Sequence, residues 1–343
     1  MFDVTEPYII AEISGNHNGS FKRAKTLIKS ASENGAHCVK LQTYTPDTMT
    51  IKSDKKDFQI NEGLWKNYSL WDLYNWAHTP FEWHKDLFEY AKKCGIDCIS
   101  TPFDETAVDL LEDLETPFYK IASFEITDIP LIEYVASKNK PMLISTGMAN
   151  YDEIYQALEV VKRFGIKDYV LFHCVSGYPT PIEESNINTI HLLRENFQCN
   201  VGLSDHTLGE TAPLAAIALG ANVIEKHFTL SRSEEGPDSA FSMEPNELRD
   251  LRLKIDQTFK SLGKGSFDTK KSEESNLNFR RSLYDVEDIN KGEIFTKKNI
   301  RRIRPGYGLS PSLYNKLLGT VCISNLSAGD PVSDEHINLE GTD

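Results

Sequence analysis

Short apolar runs rich in β-branched residues alternate along most of the chain with stretches whose apolar positions recur every three to four residues. The runs predict strands at residues 8–13, 38–43, 98–102, 118–122, 141–145, 169–174, 201–204 and 223–226. Helices are predicted between them, and those at residues 21–34, 80–94 and 151–164 each precede a glycine suited to a left-handed C-cap. Eight strand–helix units within about 265 residues predict an α/β fold, the (β/α)8 TIM barrel. An open, doubly wound sheet is the alternative.

The pattern changes after residue 260, where glycine, serine and charged residues replace the helical periodicity. The remaining chain has short β-type runs at residues 281–286, 300–303 and 321–323, with turn sequences around Gly292 and Gly329. We therefore predict a barrel domain at residues 1–265, a linker at 266–280 and a small β-rich domain at 281–343.

One segment interrupts the alternation early in the predicted barrel. Residues 54–76 contain a cluster of tryptophan and tyrosine and occupy the position of a long loop after the second strand. Such loops commonly carry substrate contacts in barrel enzymes. A packed aromatic base for a lid is the alternative interpretation.

Composition limits the possible functions. The 343-residue chain is 40% hydrophobic, enough for a sizeable core, and its net charge of -14 disfavours phosphate backbones and anionic lipid as partners. Since no basic patch offsets that charge, we expect neither nucleic acid nor membrane as a partner. The first residues lack the features of a signal peptide, and no apolar run approaches the roughly 18 residues of a membrane span, which predicts a cytoplasmic protein.

Two histidines end short apolar runs, His206 after the seventh predicted strand and His227 after the eighth. If these strands are parallel neighbours, the imidazoles emerge side by side, as a divalent metal site requires. Lysines and hydroxyls at the other strand ends predict a pocket for a small anion with phosphate and carboxylate groups. A Schiff-base aldolase and a non-catalytic carbohydrate-binding barrel are the alternatives. The polar strand-end residues are Glu12, Lys40, Gln42, Thr101, Lys120, Ser123, Glu125, Ser145, Ser176, Tyr178, Ser204, His206, Lys226 and His227.

Several strand-end motifs appear in a fixed order, among them Val39-Lys40-Leu41-Gln42-Thr43, Gly202-Leu203-Ser204-Asp205-His206-Thr207 and Glu225-Lys226-His227-Phe228. Through these motifs the chain resembles the sialic acid synthase family, whose members condense phosphoenolpyruvate with an N-acetylated hexose. The stretch from Arg281-Ser282-Leu283-Tyr284 through Arg304-Pro305-Gly306-Tyr307-Gly308 resembles the small antifreeze-like (SAF) domain that these synthases carry at the C-terminus.

The resemblance implies a role for most of the strand-end residues. A divalent cation, Mn2+ or Mg2+, held by His206 and His227 would polarise the sugar aldehyde for attack by C3 of phosphoenolpyruvate. Water then adds at C2, and phosphate leaves with cleavage of the C–O bond. The implied catalytic residues are Glu12, Lys120 and Glu125. The implied phosphoenolpyruvate ligands are Lys40, Thr101, Lys120, Ser123, Ser145, Ser176 and Ser204, and the implied sugar ligands are Gln42, Glu125, Tyr178, Asp238, Phe279 and Arg304.

Two of these acidic residues also have structural interpretations. Glu125 could cap the helix that follows it, and Asp238 could hold the turn after Gly236-Pro237.

Within the family, the loop that contains Gly63-Leu64-Trp65 is most similar to that of the pseudaminic acid synthases, whose sugar is 2,4-diacetamido-2,4,6-trideoxy-L-altrose. N-acetylneuraminate and legionaminate synthases share the chemistry and are the alternatives. The chain departs from the sialic acid enzymes at Ser176, where they place asparagine, and after Phe279, where two arginines replace alanine and serine. These departures affect the implied roles of Ser176 and Phe279.

The resemblance also implies a homodimer in which the small domains are exchanged. Arg304 of one chain would then reach the sugar site of its partner and contact the N-acetyl carbonyl of the sugar.

Overall fold

The computed structural model describes residues 6–338, and the chain divides into two compact units, Met1–Gly263 and Lys264–Asp343. The signal-peptide expectation concerns residues 1–7, of which 1–5 lie outside the described residues, and the predicted β-rich domain extends to residue 343, of which 339–343 lie outside them. Within the predicted linker 266–280, residues Lys271–Phe279 form a 3-10 helix.

The sheet of the first unit contains eight parallel strands. The hydrogen-bonded order is β3-β2-β1-β8-β7-β6-β5-β4, and β1 pairs with both β2 and β8. This pairing makes the first and last strands neighbours, which a closed barrel requires and an open doubly wound sheet lacks. Among the described residues, β3 and β4 lie side by side without a hydrogen-bonded ladder. The strands are β1 (Tyr8–Glu12), β2 (Cys38–Thr43), β3 (Asp97–Pro102), β4 (Tyr119–Ile121), β5 (Met142–Ser145), β6 (Tyr169–Cys174), β7 (Asn200–Asp205) and β8 (Val223–His227).

The predicted TIM barrel is therefore confirmed, and the doubly wound alternative is wrong. The three helices that were predicted to end before a glycine do so. Gly35, Gly95 and Gly165 adopt the left-handed conformation there, with φ values of 92°, 70° and 77°. The helices of this unit are α1 (Phe21–Glu33), α2 (Pro46–Met49), α3 (Leu70–Ala77), α4 (Phe81–Cys94), α5 (Glu105–Asp113), α6 (Ile129–Ala136), α7 (Tyr151–Arg163), α8 (Thr189–Phe197), α9 (Thr211–Ala218) and α10 (Pro245–Leu262).

The strands bury both of their faces, and the alternation of side chains separates two hydrophobic layers. One layer lies between the strands and the helices. The other fills the barrel and contains Ile10, Cys38, Ile99, Phe118, Leu143, Val170, Phe172 and Val223. Because side chains two positions apart share a face, the next inward residues lie at the carboxyl ends of the strands. These residues are Glu12, Lys40, Thr101, Lys120, Ser145, Cys174 and Glu225.

Two sequence predictions about local structure are wrong. The predicted loop 54–76 is partly helical, because α3 begins at Leu70 with the Ser69 side chain accepting a hydrogen bond from the backbone N–H of Asp72. Residues 321–323 form no strand, since Val321 makes only an isolated bridge to Ile294. Cys322, the middle residue of that run, is instead buried in the core of the second unit.

The second unit contains the antiparallel pair β9 (Ser282–Asp285) and β10 (Ile300–Ile303), followed by the short helix α11 (Tyr314–Leu317). Its core contains Leu283, Phe295 and Ile300. The two predicted turns are present, and Gly292 and Gly329 adopt φ values of 97° and 101° there.

No helix within residues 6–338 has both the length and the apolar character that crossing a bilayer requires.

Candidate active site

His206 and His227 lie side by side at the carboxyl end of the barrel. The strand register pairs Asp205 with Lys226, one residue before each histidine, and the two ring centroids are 5.3 Å apart. Both side chains are buried, and His206 Nδ1 donates to the carbonyl oxygen of Val175 at 2.9 Å, which leaves Nε2 for another contact. Burial, together with the neighbouring His206, holds the pKa of His227 well below its usual value, so this imidazole is neutral.

His206 and His227 are the residues that would hold a divalent cation at this end of the barrel. His227 Nδ1 is buried without a hydrogen-bond partner, and it lies 3.7 Å from Asp238 Oδ2. A neutral imidazole nitrogen is a good ligand for first-row metals. Within the described part of the chain, no group of three or more His, Cys, Asp or Glu side chains is arranged to hold a metal. Two histidines alone would leave the remaining positions to water or substrate.

Two buried lysines converge in the barrel interior. The Nζ atoms of Lys40 and Lys120 lie 3.5 Å and 3.7 Å from the same oxygen, Oε1 of Glu225, and Lys40 Nζ also lies 2.9 Å from Glu12 Oε2. Burial opposes ionisation of Glu225, but Lys120 and Lys40 outweigh it and hold its pKa below the usual range. Burial raises the pKa of Glu12 to about 7. Burial also lowers the pKa of Lys120, so the two carboxylates offset much of the positive charge of the lysines, whose N–H groups are the donors that an entering anion would contact.

Hydroxyl groups surround these lysines. Lys120 Nζ donates to Ser145 Oγ at 2.7 Å, and Lys40 Nζ donates to Thr101 Oγ1 at 3.2 Å. Ser204 Oγ donates to Glu225 Oε1 at 3.0 Å. Ammonium and hydroxyl groups in one buried site form charge-assisted hydrogen bonds to carboxylate and phosphate.

Ser123 and Ser176 extend the group of hydroxyls on the side of β5. The backbone N–H of Gly147 donates to Ser123 Oγ at 3.2 Å. A Cβ atom added to Gly147 would lie 2.6 Å from Ser123 Oγ and 2.5 Å from Ser176 Oγ, so all three residues are in close contact. The structure thus brings together all the implied phosphoenolpyruvate ligands at one end of the barrel.

Glu125 is half-buried in the 3-10 turn that follows β4, and its Oε2 atom is buried without a hydrogen-bond partner. Burial raises the pKa of this carboxyl to about 7, although Lys120 and Lys40 act in the opposite direction. The helix-cap interpretation of Glu125 is wrong, because the side chain that caps α6 is Asp128, which accepts from the N–H of Leu131. An unpartnered carboxylate with a pKa near neutrality suits acid–base chemistry.

Of the other implied sugar ligands of the first unit, Tyr178 and Asp238 lie next to the histidines and Gln42 lies beside Glu12. Tyr178 lies over His206 with ring centroids 4.5 Å apart. The Ser14 hydroxyl donates to Asp238 Oδ2, and the Asp238 side chain makes no capping bond to the turn that follows it. Gln42 Nε2 donates to Glu12 Oε1 at 2.9 Å, which orients a carboxylate of the lysine cluster.

The sequence interpretation missed Glu225 and included Lys226, which faces the other side of the strand. Lys226 Nζ donates to Asp205 Oδ2 and to the carbonyl oxygen of Thr207, both at 2.6 Å, so its ammonium group is already paired. The missed signal is the period of two in β8, because Glu225 lies two residues before His227 on the same face. Phe241 was also missed, and its ring centroid is 4.8 Å from that of His227.

Phe279 and Arg304 belong to the second unit. Phe279 ends the 3-10 helix Lys271–Phe279, and Arg304 follows β10 with a cis peptide bond to Pro305. Their roles in a sugar site remain predictions.

Both units of the chain are similar to known protein families. The model of the NeuB family matches residues 27–267, and the model of the SAF domain matches residues 280–338. The chain is 43% identical over 327 residues to a pseudaminic acid synthase from Campylobacter jejuni, with 95% of each protein covered. It is 41% identical to an N,N'-diacetyllegionaminic acid synthase from the same species, with 92% of this chain and 96% of the relative covered. A crystal structure of N-acetylneuraminic acid synthetase from Leptospira borgpetersenii in complex with citrate is 30% identical, with a TM-score of 0.72 over 80% of this chain and 92% of that chain.

Proposed function

The chain is an enzyme that belongs to the NeuB family, and we propose that it condenses phosphoenolpyruvate with 2,4-diacetamido-2,4,6-trideoxy-L-altrose and water to give pseudaminic acid and phosphate. The predicted family and the predicted SAF domain are confirmed. The carbohydrate-binding barrel without catalysis is wrong, because the relatives are named synthases. The observation that carries the proposal is the convergence of Lys40 and Lys120 on one buried oxygen at the barrel end that holds the histidine pair.

The anion site supplies the means to hold phosphoenolpyruvate. Lys40 and Lys120 would bind its carboxylate and phosphate through charge-assisted hydrogen bonds, with the surrounding hydroxyls satisfying the remaining oxygens. Fixing the substrate in this way points its C3 carbon towards the aldehyde and lowers the entropic cost of bringing the two together. The hydroxyls are those of Thr101, Ser123, Ser145, Ser176 and Ser204.

The proposed reaction balances as follows. The π electrons of phosphoenolpyruvate form the bond between its C3 and C1 of the sugar, whose aldehyde oxygen takes up a proton. The oxygen of water bonds to the cationic C2 and loses a proton. The bond between C2 and the bridging oxygen then breaks and its electrons leave with phosphate, while the C2 hydroxyl oxygen forms the ketone C=O bond and its proton passes to phosphate.

His206 and His227 would hold the proposed Mn2+ or Mg2+, which supplies Lewis-acid polarisation of the aldehyde when it is bound. Glu12 lies against Lys40, where its carboxyl can hold or release a proton near neutral pH. Asp238, Gln42 and Tyr178 would orient the sugar, and Glu125 would face the positive charge at C2.

A legionaminate or N-acetylneuraminate synthase with the same chemistry is the second candidate, favoured by the 41% identity to the legionaminic acid enzyme. The test is to incubate the purified protein with phosphoenolpyruvate and each of the 2-acetamido and 2,4-diacetamido sugars of the three enzyme types, and to follow phosphate release. We expect turnover with the diacetamido altrose. Turnover with N-acetylmannosamine alone would reject that substrate and keep the chemistry.

Two further arms of this experiment address the chemistry. Phosphoenolpyruvate labelled with 18O at the bridging position should transfer its label to phosphate, since the C–O bond breaks. A chelator should stop turnover, and Mn2+ or Mg2+ should restore it. Turnover that resists chelators, together with borohydride trapping of substrate on Lys120, would instead indicate the Schiff-base aldolase.

Gly147 offers a test of the anion site that does not remove a charged group. In Gly147→Ala the added methyl group would displace the hydroxyls of Ser123 and Ser176, and a displacement of about 1 Å can lower activity by about 100-fold. We expect that loss in kcat/KM for phosphoenolpyruvate at a temperature where the variant is folded, because the clash also costs about 1–3 kcal/mol of stability. Gly177→Ala is the matched control, since its nearest neighbour would be 3.4 Å away, an ordinary contact. Equal activity of the two variants would contradict the proposed role of these serines.

The exchange of small domains is also a proposal. If Arg304 of one chain completes the sugar site of its partner, mixed dimers of Arg304→Ala and Lys120→Ala chains contain one intact site. Partial activity should therefore return on mixing two inactive variants. No recovery in verified heterodimers would reject the exchange.

A further inference from the structure

We propose that Trp65 is a specificity-determining residue that selects a sugar with a methyl group, and not a hydroxymethyl group, at the end remote from the aldehyde. The inference rests on the proposed function, because it assumes that the aldehyde lies at the histidine pair. Trp65 lies outside the set of ligands implied by the family motifs.

The loop that carries Trp65 has an ordered backbone. It connects α2 to α3, and the bridge between Gln59 and Ser69 closes its base. Two backbone hydrogen bonds of 2.9 Å each, between Ile60 and Tyr68 and between Asn67 and Ile60, continue this closure towards the tip. These contacts close the loop on both sides of Trp65. They therefore fix the backbone from which its side chain extends.

The indole ring is tied to the loop that follows β8. Its Nε1–H donates to the carbonyl oxygen of Pro237 at 2.8 Å, and the next residue is the implied sugar ligand Asp238. This bond uses the only hydrogen-bonding group of the side chain. What Trp65 can still offer to a substrate is an apolar ring, which cannot bond to a hydroxyl through its N–H.

Trp65 also extends an aromatic wall that begins at the histidines. Tyr178 lies 4.5 Å from His206 and 5.4 Å from Phe241, measured between ring centroids. Trp65 lies 5.5 Å from Tyr178 on the same measure. The rings of His206, Tyr178 and Trp65 therefore follow one another at centroid spacings of 4.5 Å and 5.5 Å.

A six-carbon chain with C1 at the histidines and its body along Tyr178 brings its last carbon towards Trp65. An apolar ring gains from burying a methyl group, and it leaves a hydroxyl at the same carbon without a partner. A single group of this kind in a hydrophobic pocket changes discrimination by about 10- to 200-fold. The geometry thus favours a 6-deoxy sugar.

The experiment compares two sugars that differ by one oxygen, 2,4-diacetamido-2,4,6-trideoxy-L-altrose and its 6-hydroxy counterpart. We expect wild-type protein to prefer the deoxy sugar in kcat/KM. Trp65→Ala should reduce that preference by about 10-fold or more, with the KM for phosphoenolpyruvate unchanged. Trp65→Phe keeps an apolar ring but loses the bond to Pro237. Its preference for the deoxy sugar should lie between those of wild-type protein and Trp65→Ala.

Tyr68→Ala is the matched control, because Tyr68 belongs to the same loop but stacks on Trp76, with ring centroids 5.6 Å apart. This variant should keep the wild-type preference. Intrinsic fluorescence supplies a readout without turnover: adding the deoxy sugar should change the emission of wild-type protein and leave that of Trp65→Phe unchanged. An unaltered preference in Trp65→Ala would overturn the role of Trp65, whereas wild-type protein that releases no phosphate with either sugar would overturn the proposed function itself.

Discussion

Replacing Lys120 with methionine will lower kcat/KM for phosphoenolpyruvate by about 1000-fold, because removing one partner of a buried, hydrogen-bonded charge pair between protein and ligand commonly costs about 2–5 kcal/mol of binding free energy. The Lys120 ammonium group is almost inaccessible to solvent, and it contacts both Ser145 and Glu225. Methionine keeps an unbranched side chain that is one atom shorter, and it removes the charge and the donors of the ammonium group. Steady-state kinetics with phosphoenolpyruvate as the varied substrate measure the effect.

A second variant separates catalysis from stability. Lys120→Met leaves Glu225 with one fewer partner, so the single substitution should also lower the melting temperature. Adding Glu225→Gln removes a buried carboxylate that has lost one of its two ammonium partners, and it should recover much of that stability without recovering activity. Lys138→Met, which removes a surface pair with Asp109, should change neither quantity appreciably. Activity of Lys120→Met within a factor of ten of wild type would contradict the proposed anion site.

Glu125→Gln will lower kcat by about 100- to 10,000-fold, the range expected for loss of a catalytic acid or base. It will also change how activity depends on pH. Burial raises the pKa of Glu125 to about 7, so the carboxyl is protonated below that pH and ionised above it. The ionised form is the one that can face positive charge at C2. Wild-type activity should therefore rise with pH through about 7.

The residual activity of Glu125→Gln should lack the part of this rising limb that Glu125 causes, since glutamine does not titrate, and Glu12, whose pKa burial also raises to about 7, accounts for any limb that is left. Both proteins act on the same phosphoenolpyruvate, so ionisation of the substrate appears in both profiles and can be separated. Glu133→Gln, on the surface of α6, is the matched control and should keep the wild-type profile. A rising limb that persists unchanged in Glu125→Gln would assign the titration to another group.

The strands and their inward faces could be predicted because the information is local. Alternation within a strand places every second side chain on one face, so Cys38 in the barrel core predicts that Lys40 and Gln42 also point inward. The same rule applied to Val223 would have selected Glu225 and rejected Lys226. Helix ends were equally local, since a glycine at positive φ is needed at Gly95 whatever the tertiary contacts are.

Other features depended on contacts between distant parts of the chain. The sequence of residues 54–76 predicted a loop, and only the packed structure shows that α3 begins at Leu70 and that Trp65 reaches Pro237. The apolar run at residues 321–323 likewise has the composition of a strand. In the structure it pairs with another segment through one isolated bridge, which is too little for a strand.

The sequence by itself determined the order of the strands and helices, the face of each strand and the family motifs, because backbone preferences and side-chain periodicity act over a few residues. The tertiary structure decided which strand ends meet: β1 pairs with β8, His206 comes to lie beside His227, and two lysines from separate strands converge on Glu225. The physical reason is that closing the barrel joins residues far apart in the chain. Their distances and charges then depend on the packing of the whole domain.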